Sequence, residues 1–166
     1  MERILVIRLT SLGDVILTTP LLSLLKQRTP SALVSLAVDE RYAGLFREDR
    51  RLHSVIPVSG SCAIGNMPKS WDQIIDLQHT RRSLRLRNRL DAARVTTLDK
   101  LHLKRWVLLA ARVNLYRPDE HICARYVRSA GISSNISQIP SLEIQPPESI
   151  PLPSIVSDQG KRPILA

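Results

Sequence analysis

The sequence is short of everything that marks a secreted, membrane-spanning or metal-centred protein. It carries 2 cysteines in 166 residues, Cys62 and Cys123. They lie far apart, without metal or redox spacing. That excludes a disulfide scaffold and reads as isolated thiols in a reducing cytoplasm. His79, His102 and His121 have no ligand spacing with acidic or cysteine partners, so no metal site is expected. Aromatic residues make up only 4% of the chain, too few for the base stacking of a single-strand binder, and no nucleic-acid partner is expected. No apolar run approaches the ~20 residues that span a bilayer; the longest covers 106–111. The first run does not read as a signal peptide, because Arg8 interrupts it.

Positive charge is abundant. Lys plus Arg number 24 against 15 Asp plus Glu, a formal net charge of +9. Such an excess attracts polyanions, whether nucleic acid, an anionic membrane surface or a phosphorylated ligand. The 43% hydrophobic content suits one compact domain with a substantial core.

Ile4, Leu5, Val6 and Ile7 form a continuous apolar run, as in a strand buried on both faces. Val15, Leu17, Leu21, Leu22 and Leu25 then recur at helical spacing, which predicts one amphipathic helix. Ser11-Leu12-Gly13-Asp14 is the turn between them, and it would lie at the carboxyl end of the strand, where ligands gather in parallel α/β sheets. Further strands are predicted over 32–38, 55–58, 71–77 and 94–98. Helices are predicted over 41–46, after Thr80, and over 100–113 and 119–130, with Gly131 closing the last as its C′ residue. The alternation argues for a doubly wound parallel sheet of α/β class. Prolines then crowd the chain at 140, 146, 147, 151, 153 and 163, as in a linker. Residues 162–166 read as the start of a new strand.

These residues resemble a known family. "ILVIRLTSLGDVILTTPLLSLLK" is similar to the N-terminal segment of the bacterial lipopolysaccharide heptosyltransferases. "WDQIIDLQHTRRS", "LKRWVLLAARVNL" and "HICARYVRSAGI" follow in the family's order, so the resemblance spans about residues 2–132. It departs from the family at His79, where glycine is common, and at Cys123-Ala124, near where an acidic residue is common. The resemblance implies a GT-B fold of two Rossmann-like domains facing across a cleft. Residues 1–139 would be the Rossmann-like acceptor-binding domain and 140–161 the proline-rich interdomain linker. Residues 162–166 would begin a C-terminal nucleotide-sugar-binding domain that is missing here. The function implied is inverting transfer of heptose from ADP-heptose to the lipopolysaccharide inner core, incomplete in this chain. No cofactor is implied beyond that donor substrate. The acceptor would be an anionic Kdo-lipid A precursor, met by a cytoplasmic protein peripheral at the inner membrane.

Inverting transfer needs a base that takes the acceptor hydroxyl's proton opposite the leaving group. The resemblance assigns this role to Asp14, with Gly13 allowing a tight turn and a close acceptor. Ser11 to Asp14 also fits a capping box, favoured by the helix dipole, and the two roles are compatible. Thr10, Ser11, Thr18 and Thr19 are candidates for ligand contact, although capping and back-bonding explain them equally well. Arg81, Arg85 and Arg89 repeat every four residues on one helical face. With Arg82 they suit phosphate or carboxylate, or they form a solvated cationic face. Asp76 and Gln78, at a strand end, could line the same cleft or serve structural hydrogen bonds. Lys104, Arg105 and Trp106 begin a helix that would pack on the sheet or rest on a membrane. A different class of reading is a non-catalytic basic module for anionic lipid or nucleic acid. A dinucleotide-binding domain is disfavoured, because Gly13 stands alone without G-x-G-x-x-G.

Overall fold

The computed structural model describes residues 1–60, 67–98, 122–132 and 139–144. The expected helix over 100–113, with Lys104, Arg105 and Trp106, lies outside the described residues. So do Cys62, His102, His121, most of the proline-rich stretch and residues 162–166.

A five-stranded sheet runs in the order β3-β2-β1-β4-β5. Its strands are β1 (Arg3–Ile7), β2 (Leu33–Asp39), β3 (Ser54–Val58), β4 (Ser70–Asp76) and β5 (Asp91–Thr97). Every neighbouring pair is parallel. The apolar runs around Val6, Leu36, Ile75 and Val95 therefore lie side by side, as their alternation with helices predicts. Pro57 has no N–H to give to a ladder and sits on the edge strand β3, where that loss is tolerated.

Among the described residues the sheet is covered on both faces over β1, β2 and β4, while β5 is largely exposed. Ile4, Val6, Leu36 and Ile75 pack with Leu21, Leu22 and Tyr126 on one side; Leu5, Ile7, Ala37 and Ile74 pack with Leu86 on the other. Side chains alternate along a strand, so continuous apolar runs serve two cores at once. α2 (Thr19–Arg28) and α4 (Ile122–Ser129) belong to the first core, α3 (Arg81–Arg87) to the second. Right-handed crossovers that step in opposite directions along a sheet put their helices on opposite faces. The α/β Rossmann-like, doubly wound class is thus what forms.

The single helix expected from Asp14 onward is instead two, α1 (Leu12–Ile16) and α2. Pro20 stands in the first turn of α2. It cannot donate to the carbonyl four residues back, and its ring crowds that carbonyl. Thr18 Oγ1 donates to Val15 O at 2.6 Å and fills the break. At the other end Gly131 adopts φ +77°. Its N–H meets Arg128 O at 2.9 Å and the N–H of Ile132 meets Val127 O at 3.3 Å, the glycine-closed helix end that the sequence predicts. Residues 41–46 shorten to a 3-10 turn, Ala43–Phe46.

Candidate active site

β1 lies between β2 and β4. The chain leaves β1 toward one side of the sheet and enters β4 on the other, which makes this the switch point, the place where a parallel sheet offers a ligand crevice. Residues 8–11 and 77–80 meet there. Thr10 N–H donates to Gln78 Oε1 at 3.2 Å, and Gln78 Nε2 donates to Thr10 Oγ1 at 3.0 Å. That two-bond clasp ties the turns together across the switch point. It consumes Gln78 and Thr10, both expected to face ligand, in holding the crevice walls.

Asp14 stands in the first turn of α1. Its Oδ2 forms an ion pair with Arg8 Nη2 and accepts from the Ser11 N–H at 3.4 Å and the Ser11 hydroxyl at 3.3 Å. Oδ1 takes no part in these contacts, and the side chain is 36% exposed. One carboxylate oxygen is thus anchored and the other is available to a ligand. The capping contacts thus fall on Oδ2 alone. Ser11 and Gly13 are exposed beside it. Gly13 has no positive φ, so the expected tight turn does not need glycine. A Cβ there would meet nothing within 4 Å, so a side chain would also fit.

Arg8 is the residue that the sequence motif does not single out. Its Nη1 donates to Leu77 O at 2.6 Å, and its guanidinium lies over the Tyr126 ring, 5.6 Å from the centroid. One side chain thereby joins the ends of β1 and β4, the start of α1, and α4. The available signal was a lone cation closing an otherwise apolar run. Tyr126 is fully buried and its hydroxyl has no hydrogen-bond partner among the described residues. Burial pushes this phenol up to about 12, with the Arg8 charge acting the other way.

The turn after β4 is built on Asp76, which is 0% exposed. Its Oδ1 accepts from the N–H groups of Gln78 (3.0 Å) and His79 (2.8 Å). Its Oδ2 accepts from the Ser83 hydroxyl at 2.9 Å and lies 3.7 Å from Arg87 Nη1. Asp76 organises the turn from beneath instead of lining the crevice. His79 follows with φ +44°, a left-handed backbone that costs a non-glycine residue about 1 kcal/mol. This is the position where the family resemblance expects glycine, and the geometry gives the reason. His79 is exposed, and its Nδ1 lies 3.2 Å from Leu98 O.

The arginines of α3 divide. Arg81 and Arg85 are exposed. Arg82 turns inward: Nη1 donates to Asp39 Oδ2 at 2.8 Å, and Nη2 to the carbonyls of Val58 (3.0 Å) and Ser59 (2.9 Å). Asp39 also accepts from Arg41 Nε at 2.8 Å. Arg41 first, and then Arg82, hold the Asp39 carboxyl well below the usual range against the opposing effect of burial. A four-residue repeat identifies a face, and Arg82 lies one residue, about 100°, off that face. Thr18 and Thr19 are buried; Thr19 Oγ1 accepts from the N–H of Glu143 at 3.2 Å, so neither faces the crevice.

Among the described residues, no group of three or more His, Cys, Asp or Glu is placed to hold a metal ion. Among them, too, no helix is long and apolar enough to cross a membrane. A pocket of about 340 Å³, lined by Ala43, Arg47, Val55 and Pro57 at the β3 edge, shares no residue with the crevice.

No protein-family model matches the sequence, and no curated protein does. Solved structures do match the fold. A glycosyl transferase family 9 protein from Veillonella parvula is similar at a TM-score of 0.64 and 22% identity, over 87% of this chain and 44% of that one. The E. coli heptosyltransferase WaaC with ADP is similar at 0.57 and 21%, over 80% and 48%. The same enzyme with ADP-2-deoxy-2-fluoro heptose is similar at 0.60 and 21%, over 83% and 51%. The chain spans about half the length of these proteins.

Proposed function

We propose that this chain is the acceptor-side half of an inverting glycosyltransferase, with Asp14 as the base that deprotonates the acceptor hydroxyl. The observation that carries the reading is the asymmetry of Asp14 at the switch point: Oδ2 is anchored by Arg8 and Ser11, while Oδ1 makes no contact among the described residues. Likeness to a family 9 glycosyltransferase and to a heptosyltransferase supports it on the level of fold. In the reaction, Oδ1 takes the hydroxyl proton as the acceptor oxygen attacks the anomeric carbon, and the bond to the diphosphate breaks on the opposite side. Inversion follows from that single displacement.

ADP-heptose is the donor that the resemblance favours, and an anionic Kdo-lipid A precursor at the inner face of the cytoplasmic membrane is the acceptor. Arg81 and Arg85, exposed on α3, suit its phosphate and carboxylate groups. Arg82 contributes by fixing the crevice wall through Asp39. Stabilising the leaving diphosphate falls to a donor-binding half, as in the GT-B plan.

Acceptor-dependent ADP release from ADP-heptose tests the proposal. The 166-residue chain alone should release none, and the chain joined to a donor-binding C-terminal half should turn over. Binding of anionic lipid without any turnover in the joined protein would favour the basic-module reading, which the exposed Arg81 and Arg85 also suit.

A further inference from the structure

We infer that Arg8 is the positioning residue of the transfer: its fork grips Asp14 Oδ2 and Leu77 O together, and so ties the aim of the base to the end of β4. The inference rests on the glycosyl-acceptor reading and adds to it the group that aims the base.

Three observations carry it. The first is where the charge sits. Arg8 is 9% exposed, and its neighbours Ile7 and Leu9 are fully buried. A guanidinium in such a place is costly unless paired, and an apolar side chain would continue the run without that penalty. Its Nε has no hydrogen-bond partner among the described residues, so the surroundings do not serve the arginine's own donors in full. The second observation is the fork. Nη2 pairs with Asp14 Oδ2, and Nη1 donates to Leu77 O at 2.6 Å, 69 residues along the chain. The two nitrogens belong to one rigid plane, which lies over the Tyr126 ring. Asp14 is therefore fixed relative to β4 and α4 as well as to its own helix. The third is the weakness of the other holds. The Ser11 N–H and hydroxyl reach Oδ2 at 3.4 and 3.3 Å, beyond the usual hydrogen-bond range. The charge-assisted contact with Arg8 is the strong one.

A carboxylate rotates about the bond to its Cβ, and half a turn exchanges its two oxygens. With Oδ2 held by the fork, Oδ1 keeps one direction. The displacement depends on that direction, since an error of about 1 Å can lower a rate about 100-fold. Arg8 is buried and gives up no proton. It acts through Asp14.

The test is a double-mutant cycle in the chain joined to a donor-binding half, with kcat and acceptor KM for ADP release read on a deacylated Kdo-lipid A precursor. Arg8→Gln should lower kcat about 10- to 100-fold and move the acceptor KM by less than about twofold. Arg8→Lys keeps a cation against Oδ2 and should recover part of that loss. In the Asp14→Asn background, Arg8→Gln should change the residual rate by less than about twofold, because the two residues act as one unit. A merely structural Arg8 predicts the same fall in both backgrounds. That result overturns the inference, as does full kcat in Arg8→Gln. Should Arg8→Gln not fold, the 166-residue chain gives a second readout. The ¹⁵N side-chain signals of Arg8 should shift in Asp14→Asn, and unchanged signals overturn the inference alone. Wild-type turnover in Asp14→Asn overturns the base assignment and the inference with it.

Discussion

The turns after β1 and β4 stand side by side at the same switch point, each leads into a helix, and each carries one aspartate. They use it in opposite ways. Asp76 is fully buried, with both oxygens occupied by two backbone N–H groups, a hydroxyl and a nearby guanidinium. Asp14 is 36% exposed, with all its contacts on one oxygen. Chemistry is open to the carboxylate whose second oxygen the fold leaves uncommitted. A third pair extends the point: Asp49 is bound to Arg51 at 2.8 and 2.6 Å, and Arg51 reaches on to Ser23 Oγ and Glu143 O at 2.9 Å. That ion pair holds residues 139–144 against α2 and is spent on structure.

The largest effect that could break this contrast is on stability. Asp76→Ala strands the N–H groups of Gln78 and His79, leaves the Ser83 hydroxyl only Thr80 O at 3.1 Å, and should cost about 3–5 kcal/mol in urea unfolding. A loss under about 1 kcal/mol would mean that the turn after β4 does not depend on its aspartate, and the contrast would collapse.

Much of this arrangement was legible beforehand. Continuous apolar runs announce strands with two covered faces, and Gly131 marks its helix end because a left-handed closing residue has a strong side-chain preference. Hydrophobic spacing carries straight across the break before Pro20, which only the proline marks. Harder to read were the partners of charged groups. The Arg81-Arg85-Arg89 spacing shows which residues share a face without showing where Arg82 goes. Asp39, its partner, is 43 residues away in sequence. Arg8 with Asp14 is a similar case, since nothing local says that a cation ending a strand will turn back onto the next helix. Pairings of this kind belong to the sheet order, which brings distant loops together.

A smaller effect sharpens the comparison from beneath Arg8. Tyr126→Phe removes a buried hydroxyl without a partner and should leave stability unchanged or raise it by up to about 1 kcal/mol at neutral pH. The pH dependence has a definite sign. The folded phenol titrates at about 12, above an unfolded value of about 10. Below pH ~10 the phenol is protonated in both states and adds no pH dependence; above it the unfolded chain loses the proton first, so stability falls as pH rises toward 12. Tyr126→Phe should flatten that part of the alkaline limb. An equally steep limb in the variant would show that the loss comes from other groups.

The most direct test of the central claim is Asp14→Asn in the chain joined to a donor-binding half, with ADP release and unfolding measured on the same preparation. A proton-accepting Asp14 predicts that acceptor-dependent release falls at least about 100-fold. Stability should fall by no more than about 1 kcal/mol, since a half-exposed cap and ion pair are all that is weakened. Release within twofold of wild type, or a collapse in stability that matches the loss of release, would contradict it: Asp14 would then be structural, as Asp76 is, and no base.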